Sequence, residues 1–200
     1  MRLTVAGVGH QFGDQPFLFR DLSAELISGR SYAVTGPSGS GKTTLLAILA
    51  GMISPSIGVV ERPPACRFGW VFQNPHGVHQ RSALDHVSLP FISRGLTRRA
   101  ADSHAMELME DFGLSHRARA RFSELSGGEA QRLLLARGVA AAPDVLLVDE
   151  PTAQLDAVTS LGVNEALRAT AGRDTVVVVA THDEGTRRAC TDHIDLGTYT

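Results

Sequence analysis

One short segment limits the possible folds more than any other part of the chain: TGPSGSGKTT, residues 35–44. An apolar run, SYAVT at 31–35, precedes it, and a helical pattern at 42–51, with Gly51 as its stop, follows it. The glycines allow a tight turn between strand and helix, so that consecutive backbone N–H groups can surround an anion at the helix N-terminus. In this strand–loop–helix context, the spacing G-x-x-x-x-G-K-[ST] predicts a phosphate site.

The cation in this loop is unusual for this chain. Lys42 is the only lysine among the 19 basic residues, and all the others are arginines. A compact ammonium group fits between two phosphates where a planar guanidinium is wider. We therefore expect Lys42 to reach the β- and γ-phosphates of a nucleoside triphosphate, and the Thr43 hydroxyl to bind Mg²⁺. The alternative is a flexible Gly/Ser loop with an incidental lysine. The predicted nucleotide-binding residues of the loop are Gly36, Pro37, Ser38, Gly39, Ser40, Gly41, Lys42, Thr43 and Thr44.

A second candidate is the acidic pair that ends a buried apolar run. In VLLVDEP, Asp149 and Glu150 follow four apolar residues. Ligands bind at the C-terminal ends of strands in open α/β sheets, which is where this pair lies. We expect Asp149 to hold Mg²⁺ through water and Glu150 to act as general base on an attacking water. The alternative is an acidic strand-to-turn connection ended by Pro151, an interpretation that the phosphate loop weakens.

The remaining pattern predicts an α/β fold with a mostly parallel core sheet. Two late runs are nearly continuous and apolar, as in strands buried on both faces, whereas the early runs alternate as in an N-terminal antiparallel portion. The segment 76–125 interrupts the alternation of strands and helices. We predict a single domain, 1–200, with an inserted helical subdomain at about 76–137. Strands are predicted at 3–8, 22–27, 31–35, 67–73, 144–149 and 175–181, and helices at 42–51, 98–113, 127–142 and 156–171.

The stretch ELSGGEAQR at 124–132 supplies the most specific motif. Ser126 and Glu129 have the spacing of a capping box, so a helix should begin here. Gly127 and Gly128 are poor helix formers in its first turn, and we interpret them as allowing close backbone approach to an anion.

LSGGEAQR resembles the signature motif of ABC-type ATPases, and the resemblance covers essentially the whole chain. The order of the motifs also matches that family: the phosphate loop, VFQNP with Gln73, the signature, the acidic pair, AQLD at 153–156, and ATHD with His182. The resemblance implies a P-loop NTPase fold of the ABC type. It also implies ATP as ligand and Mg²⁺ as cofactor.

In that family two ATPase subunits meet head to tail, with each ATP between them. By resemblance, Ser126, Gly127 and Gly128 would contact the γ-phosphate of ATP bound at Lys42 of a second subunit, in a homodimer or a heterodimer. ATP then favours the closed dimer, and hydrolysis weakens it.

The resemblance gives two further residues roles beside the γ-phosphate. Gln73 would bind Mg²⁺, sense the attacking water and relay its state to the helical subdomain. His182 would hydrogen-bond the γ-phosphate and orient water near Glu150. The plainer alternatives are an exposed glutamine at a strand end and a structural histidine.

Two other residues take family roles at the edges of the site. Phe12 would stack on adenine, although a single aromatic residue after a strand is also typical of core packing. Asp156 would shape the loop between the two ATP sites. Ala153 and Gln154 stand where many relatives carry Ser-Ala, which removes one hydroxyl from a contact across the dimer.

Composition and resemblance together favour the ATP-hydrolysing subunit of a transporter. No apolar run approaches the about 18 residues of a membrane span, so a separate transmembrane permease is expected, with this chain on the cytoplasmic face of the cell membrane. Cys66 and Cys190 are far apart, which favours a reduced compartment. A soluble ABC ATPase acting on DNA or ribosomes is the main alternative. The net charge of −2 gives no polycation signal for nucleic acid. A P-loop kinase or a plain nucleotide-binding module is a further alternative, but a kinase would not need the signature.

The segment 81–101 resembles the corresponding region of lipoprotein-releasing and macrolide-exporter ATPases, and would form part of the groove that receives the permease. It favours export or lipid-linked extraction. The C-terminal stretch DHIDLGTYT predicts no regulatory C-terminal domain.

Overall fold

The computed structural model describes residues 1–153, 155–170 and 174–199. The strands are β1 (Arg2–His10), β2 (Phe19–Ile27), β3 (Ser31–Thr35), β4 (Ile57–Glu61), β5 (Phe68–Val71), β6 (Val145–Asp149), β7 (Val176–Ala180) and β8 (Asp192–Asp195). The helices are α1 (Lys42–Ala50), α2 (Ala83–Ser93), α3 (Arg98–Asp111), α4 (Gly127–Ala140), α5 (Ala157–Thr170) and α6 (Glu184–Ala189). Short 3-10 helices lie at Ser115–Arg117, Phe122–Glu124 and Leu196–Tyr199.

Five strands form a parallel sheet in the order β5-β6-β7-β3-β8. Every residue of the interior strands β6 and β7 is buried. Alternate side chains of β6 enter two different cores: Leu146 and Val148 pack on one face of the sheet, and Val145 and Leu147 on the other. The two faces explain why these strands read as continuous apolar runs, and the predicted parallel core sheet is confirmed.

The N-terminal strands form a separate antiparallel sheet in the order β2-β1-β4. Leu3 and Val5 of β1 are buried, whereas Arg2 and Ala6 are exposed. This alternation is the signal that predicted an antiparallel portion, and that prediction is confirmed. β3, among the early runs, instead lies in the parallel sheet between β7 and β8.

α1 begins directly at the phosphate loop and packs between the two sheets. Its side chains Leu45, Leu46 and Ile48 share one core cluster with both of them. Gly51 ends the helix with a φ of 76°, in the left-handed conformation, as predicted. The start of α1 is therefore held rigidly against the strand that precedes the loop.

The described chain between β5 and β6 contains helices and turns but no strand. α2, α3 and α4 contribute Val87, Met109 and Leu133 to the core cluster that also contains Leu146 of the sheet. The inserted helices thus share a core with one sheet face, and the subdomain boundaries at about 76–137 stay a prediction. No described helix combines the length and apolar character that crossing a membrane would require.

Among the described strands and α-helices, four are not predicted by the sequence patterns: β4, α2, α6 and β8. α2 contains Pro90, which is unfavourable inside a helix and hides the helical pattern. β8 is a polar strand at the edge of the sheet. Its residues are half-buried or exposed, so they need not be apolar. The strand predicted at 67–73 ends at Val71, so Phe72 and Gln73 belong to the following loop. The predicted end of α5 at Ala171 lies outside the described residues.

Candidate functional site

A cleft of about 730 Å³ lies at the C-terminal edge of the parallel sheet. The chain reaches it from four strands: the phosphate loop follows β3, Gln73 follows β5, Glu150 follows β6 and His182 follows β7. All but one of the lining residues are predicted site residues, and the exception is Leu18. The lining consists of Phe12, Leu18, Gly36, Pro37, Ser38, Gly39, Gly41, Lys42, Thr43, Thr44, Gln73, Glu150 and His182.

The phosphate loop depends on glycine at three positions, and Gly36, with a φ of 144°, is the first. Gly39 and Gly41 have φ angles of 81° and 91°, in the left-handed region that other residues rarely adopt. At Gly41 a Cβ atom would also lie 3.0 Å from the Phe19 ring and 3.1 Å from Leu18. Within the described chain, the buried hydroxyl of Ser40 finds no hydrogen-bond partner. An unpaired donor beside the N-terminus of α1 suits an anionic ligand.

The Lys42 ammonium lies across its own loop. Its Nζ donates to the carbonyl oxygens of Gly36, at 3.0 Å, and Pro37, at 3.2 Å, and lies 3.7 Å from Oε1 of Glu150. The side chain is only 10% exposed. The chain's single lysine is therefore already held at the mouth of the loop, where it supplies positive charge to the cleft.

Thr43 and Asp149 join the start of α1 to the end of β6. The Thr43 hydroxyl lies 2.9 Å and 3.1 Å from the two carboxylate oxygens of Asp149. Burial raises the pKa of Asp149 above its ordinary value, and the neighbouring Glu150 adds to this effect. Buried acids with a shifted pKa in or beside a cleft are typical of functional sites.

This oxygen-rich pair fits Mg²⁺. Mg²⁺ prefers hard oxygen ligands and usually keeps few protein ligands besides phosphate oxygens and water. Across the described ranges there is no cluster of three His, Cys, Asp or Glu side chains that could enclose a metal. A hydroxyl, a carboxylate and Gln73 beside a triphosphate site are consistent with that sparse coordination.

Glu150 lies between two cationic or proton-donating groups. Its Oε2 accepts from Nδ1 of His182 at 2.8 Å, and its Oε1 faces Lys42. The Glu150 backbone has a φ of 43°, which costs a non-glycine residue roughly 1–3 kcal/mol. Its N–H donates to the Ala180 carbonyl at 2.8 Å, which helps to hold this conformation. The arrangement can hold a carboxylate steadily in one place beside a bound phosphate, as a general base requires.

Gln73 and Phe12 lie at the rim of the cleft. Gln73 is exposed in the loop after β5 and lines the cleft. Phe12 is 53% exposed, and its ring meets His10 edge to face with centroids 4.7 Å apart. A half-exposed ring supported from one side is suited to stacking on a base, rather than to the core packing considered as its alternative.

The signature residues do not line the cleft of their own chain. Ser126 caps α4 by accepting from the Glu129 N–H at 3.3 Å, and Glu129 accepts from the Ser126 N–H at 2.8 Å, so the predicted capping box is confirmed. Ser126 and Gly127 are exposed at the tip of this helix. A helix N-terminus whose first residues are exposed is available to a ligand held elsewhere.

Gly128 has a reason that the sequence pattern does not reveal. It is buried, and a Cβ atom there would lie 1.9 Å from Cγ2 of Thr159 in α5. Asp156 fixes Thr159 by accepting from its N–H and its hydroxyl, both at 2.9 Å. The Asp-x-x-Thr spacing is a helix-capping signal and is the only sequence clue to this contact. Close packing of α4 on α5 therefore requires glycine at 128, beside any requirement for anion approach.

We expect Gly128→Ala to lower both the midpoint of thermal unfolding and the rate of ATP hydrolysis, since the helices must separate. Thr159→Ser removes the clashing methyl group but keeps the hydroxyl that binds Asp156. The double variant Gly128→Ala/Thr159→Ser should therefore recover most of both losses, as measured by thermal unfolding and phosphate release. A double variant as impaired as Gly128→Ala alone would show that anion approach, rather than packing, requires this glycine.

The site's geometry agrees with comparisons to known proteins. The ABC transporter family model matches residues 19–153. The chain belongs to the ABC transporter family. It is 39% identical over 186 residues to the lipoprotein-releasing system ATP-binding protein LolD 1 of Rhodopirellula baltica, covering 85% of this chain and 81% of that protein. It is also 39% identical over 186 residues to the aliphatic sulfonates import ATP-binding protein SsuB 1 of Rhodococcus jostii, covering 90% and 73%.

A solved structure extends the similarity to three dimensions. The dimeric ATP-binding cassette MJ0796, captured in a post-hydrolysis state with ADP and Pi, is 27% identical to this chain with a TM-score of 0.79, covering 97% of this chain and 94% of that one. This ABC transporter chain is thus an ATP-binding subunit that hydrolyses ATP, and the predicted fold and activity are confirmed.

Proposed function

We propose that this ATPase works as a head-to-tail dimer, with each ATP bound by the phosphate loop of one subunit and the Ser126–Gly127 helix tip of the other. The carrying observation is that the two halves of the site do not line the same cleft in a single chain. Lys42 lies in the cleft, whereas the exposed tip of α4 contributes no residue to the lining. A second copy, or a similar ATPase, supplies the missing half.

In this proposal each cleft residue has a defined task. Lys42 leaves the carbonyl oxygens of its own loop and binds the β- and γ-phosphates, while the Ser40 hydroxyl gains a partner. Glu150 accepts the proton of the attacking water, and His182 keeps that carboxylate in position and binds the γ-phosphate. Phe12 stacks on adenine. Asp156 acts through the packing of α5 on the signature helix.

Thr43, Asp149 and Gln73 are the residues that would hold Mg²⁺. When bound, the ion neutralises charge on the phosphate oxygens. Thr43 and Asp149 are already within hydrogen-bond distance of each other, so little rearrangement of these two side chains is needed. Gln73 lies in the exposed loop after β5 and would complete this set from the rim of the cleft.

We further propose that a separate transmembrane permease docks in a groove of about 600 Å³ beside Gln73. Its apolar wall contains Trp70 and Phe72, whose rings stack with centroids 5.5 Å apart, and Leu89 of α2, which is 56% exposed. Exposed aromatic and aliphatic residues lining a concave surface are typical of a partner-binding site. In this proposal the docked chain lies on the cytoplasmic face of the membrane.

The expected direction, export or lipid-linked extraction, stays a prediction. Relatives at the same identity of 39% carry names of lipoprotein release and of sulfonate import. The groove contains Leu89 and Pro90 from the segment 81–101 that carries the exporter resemblance.

The dimer is tested by Ser126→Arg in a Glu150→Gln background, where ATP is retained. We expect the arginine to block ATP-driven dimerisation on size exclusion, because its side chain occupies the space of the partner's phosphate. ATP binding by the monomer should persist, as measured by equilibrium dialysis. Thr97→Arg is the matched control, since Thr97 also caps an exposed helix start, that of α3, and its loss costs a similar ~1 kcal/mol of helix capping. If the Ser126→Arg variant dimerises as readily as the Thr97→Arg variant, the proposal of a site shared between two subunits is wrong.

A further inference from the structure

A buried hydrogen-bond chain joins the two loops that carry Glu150 and His182. Thr152 is 6% exposed and Thr186 fully buried, and their hydroxyl oxygens lie 3.0 Å apart. Thr186 also donates to Oδ2 of Asp183 through its N–H, at 2.6 Å, and its hydroxyl, at 2.9 Å. Neither threonine lines the cleft.

The direction of these hydrogen bonds follows from the donors available. A carboxylate oxygen only accepts, so the single hydroxyl proton of Thr186 is used towards Asp183. The oxygen of Thr186 must therefore accept the proton of Thr152. The result is one ordered path, from Thr152 to Thr186 to Asp183, in which the bond between the two threonines is buried and the Asp183 end is half-buried.

Both ends of this path are next to the groups proposed to act on the attacking water. Thr152 is two residues after Glu150, and Asp183 directly follows His182. The path therefore spans the gap between the loop after β6 and the loop after β7. Two other hydrogen bonds join the same part of the structure. The Glu150 N–H donates to the Ala180 carbonyl, and Nδ1 of His182 donates to the Glu150 carboxylate.

The strained backbone of Glu150 explains why such a brace is needed. Its φ of 43° is unfavourable for a residue with a side chain, and conformations of this kind persist only when the surroundings determine them several times over. Without the Thr152–Thr186 bond, the turn after β6 would keep its strand hydrogen bond but lose this hydrogen bond to α6. The carboxylate could then relax away from His182 and the water that it must deprotonate.

We propose that Thr186 is a positioning residue for hydrolysis, holding the Glu150 loop and the His182 loop in register through its buried hydroxyl. The inference rests on the proposed function, in which Glu150 and His182 act together. Thr186 is fully buried and does not line the cleft, and it lies in α6 outside every recognised motif. Its hydroxyl group, rather than its size, carries the role.

The test is Thr186→Val, which keeps the shape of the side chain and removes the hydroxyl. We expect kcat for ATP hydrolysis to fall about 10- to 100-fold, because small displacements of a reacting group are this costly. KM for ATP should stay within about twofold, because the phosphate loop is not altered. Thr186→Ser, which restores the hydroxyl, should return kcat to within about threefold of the unaltered protein.

Two further variants separate positioning from general stability. Thr170→Val removes another buried threonine hydroxyl, which donates to the Ala166 carbonyl in α5, and should leave kcat unchanged. Thr152→Val breaks the same path from its other end, so it should lower kcat as Thr186→Val does. The double variant Thr152→Val/Thr186→Val should be little worse than either single one, because both remove the same link.

An unchanged kcat in Thr186→Val would overturn the inference, and so would a loss that Thr186→Ser fails to restore. A loss of kcat matched by Thr170→Val at equal thermal midpoint would also overturn it, since any buried hydroxyl would then serve. The Glu150→Gln variant is measured beside these. If it hydrolyses ATP normally, the proposed role of Glu150 fails. If it is inactive while Thr186→Val is normal, only the positioning role of Thr186 fails.

Discussion

Glu150→Gln should lower the rate of ATP hydrolysis by about 10²- to 10⁴-fold, the contribution typical of a general base. The amide has the shape of the carboxylate but cannot accept a proton from water. ATP binding should be retained, because Lys42 and the loop glycines are unchanged. With ATP uncleaved, a stable dimer should accumulate on size exclusion in the presence of Mg²⁺.

A matched control is Glu107→Gln, on the exposed face of α3, where the side chain is 72% exposed. Phosphate release by this variant should equal that of the unaltered protein. A Glu150→Gln protein that hydrolyses ATP at the normal rate would remove Glu150 as the base. His182 would then be the next group to consider, because it lies 2.8 Å from Glu150.

The second large effect is expected for Lys42→Ala. Hydrogen bonds to charged groups contribute about 1.5–3 kcal/mol, so loss of the ammonium should weaken ATP binding by about 10- to 100-fold. Hydrolysis should fall further, since charge on the transferred phosphate is no longer balanced. Nucleotide affinity and phosphate release measure the two effects separately.

Two control variants test the explanation of this result. Lys42→Arg keeps the charge but brings a wider, planar group into a loop crowded with backbone donors, so it should not restore activity. Arg30→Ala removes an exposed cation paired with Asp192 at the opposite end of β3, and should be without effect. Since Lys42 is the only lysine, ATP should also slow its acylation, as followed by mass spectrometry. Normal ATP binding and turnover in Lys42→Ala would refute the phosphate site.

Much of the fold could be predicted where the signal is strong and local. β6 and β7 are recognisable because both faces are buried, and α1 because Gly51 ends it in a left-handed turn. α2 and β8 were beyond such reasoning. Pro90 contradicts the helical pattern of α2, and the polar residues of β8 are tolerated only at a sheet edge.

The residues of the candidate site also differ in how far the sequence predicts them. The residues of the phosphate loop are predictable because their spacing alone shapes a tight turn before a helix. The sequence predicts only part of the reason for a glycine at 128, because the methyl group that it must avoid belongs to Thr159, in a different helix. Thr186 had no signal, because its partner Thr152 is 34 residues away and neither lies in a spacing that predicts contact.

Local spacing is therefore enough to identify the phosphate loop, the helix caps and the buried strands, because those features depend on backbone preferences within a few residues of each other. The meeting of Thr43 with Asp149, 106 residues apart, and of Glu150 with His182 depends on the order of strands in the sheet. That order results from packing two cores on opposite faces. A short sequence window contains no information about which distant side chain completes such a contact.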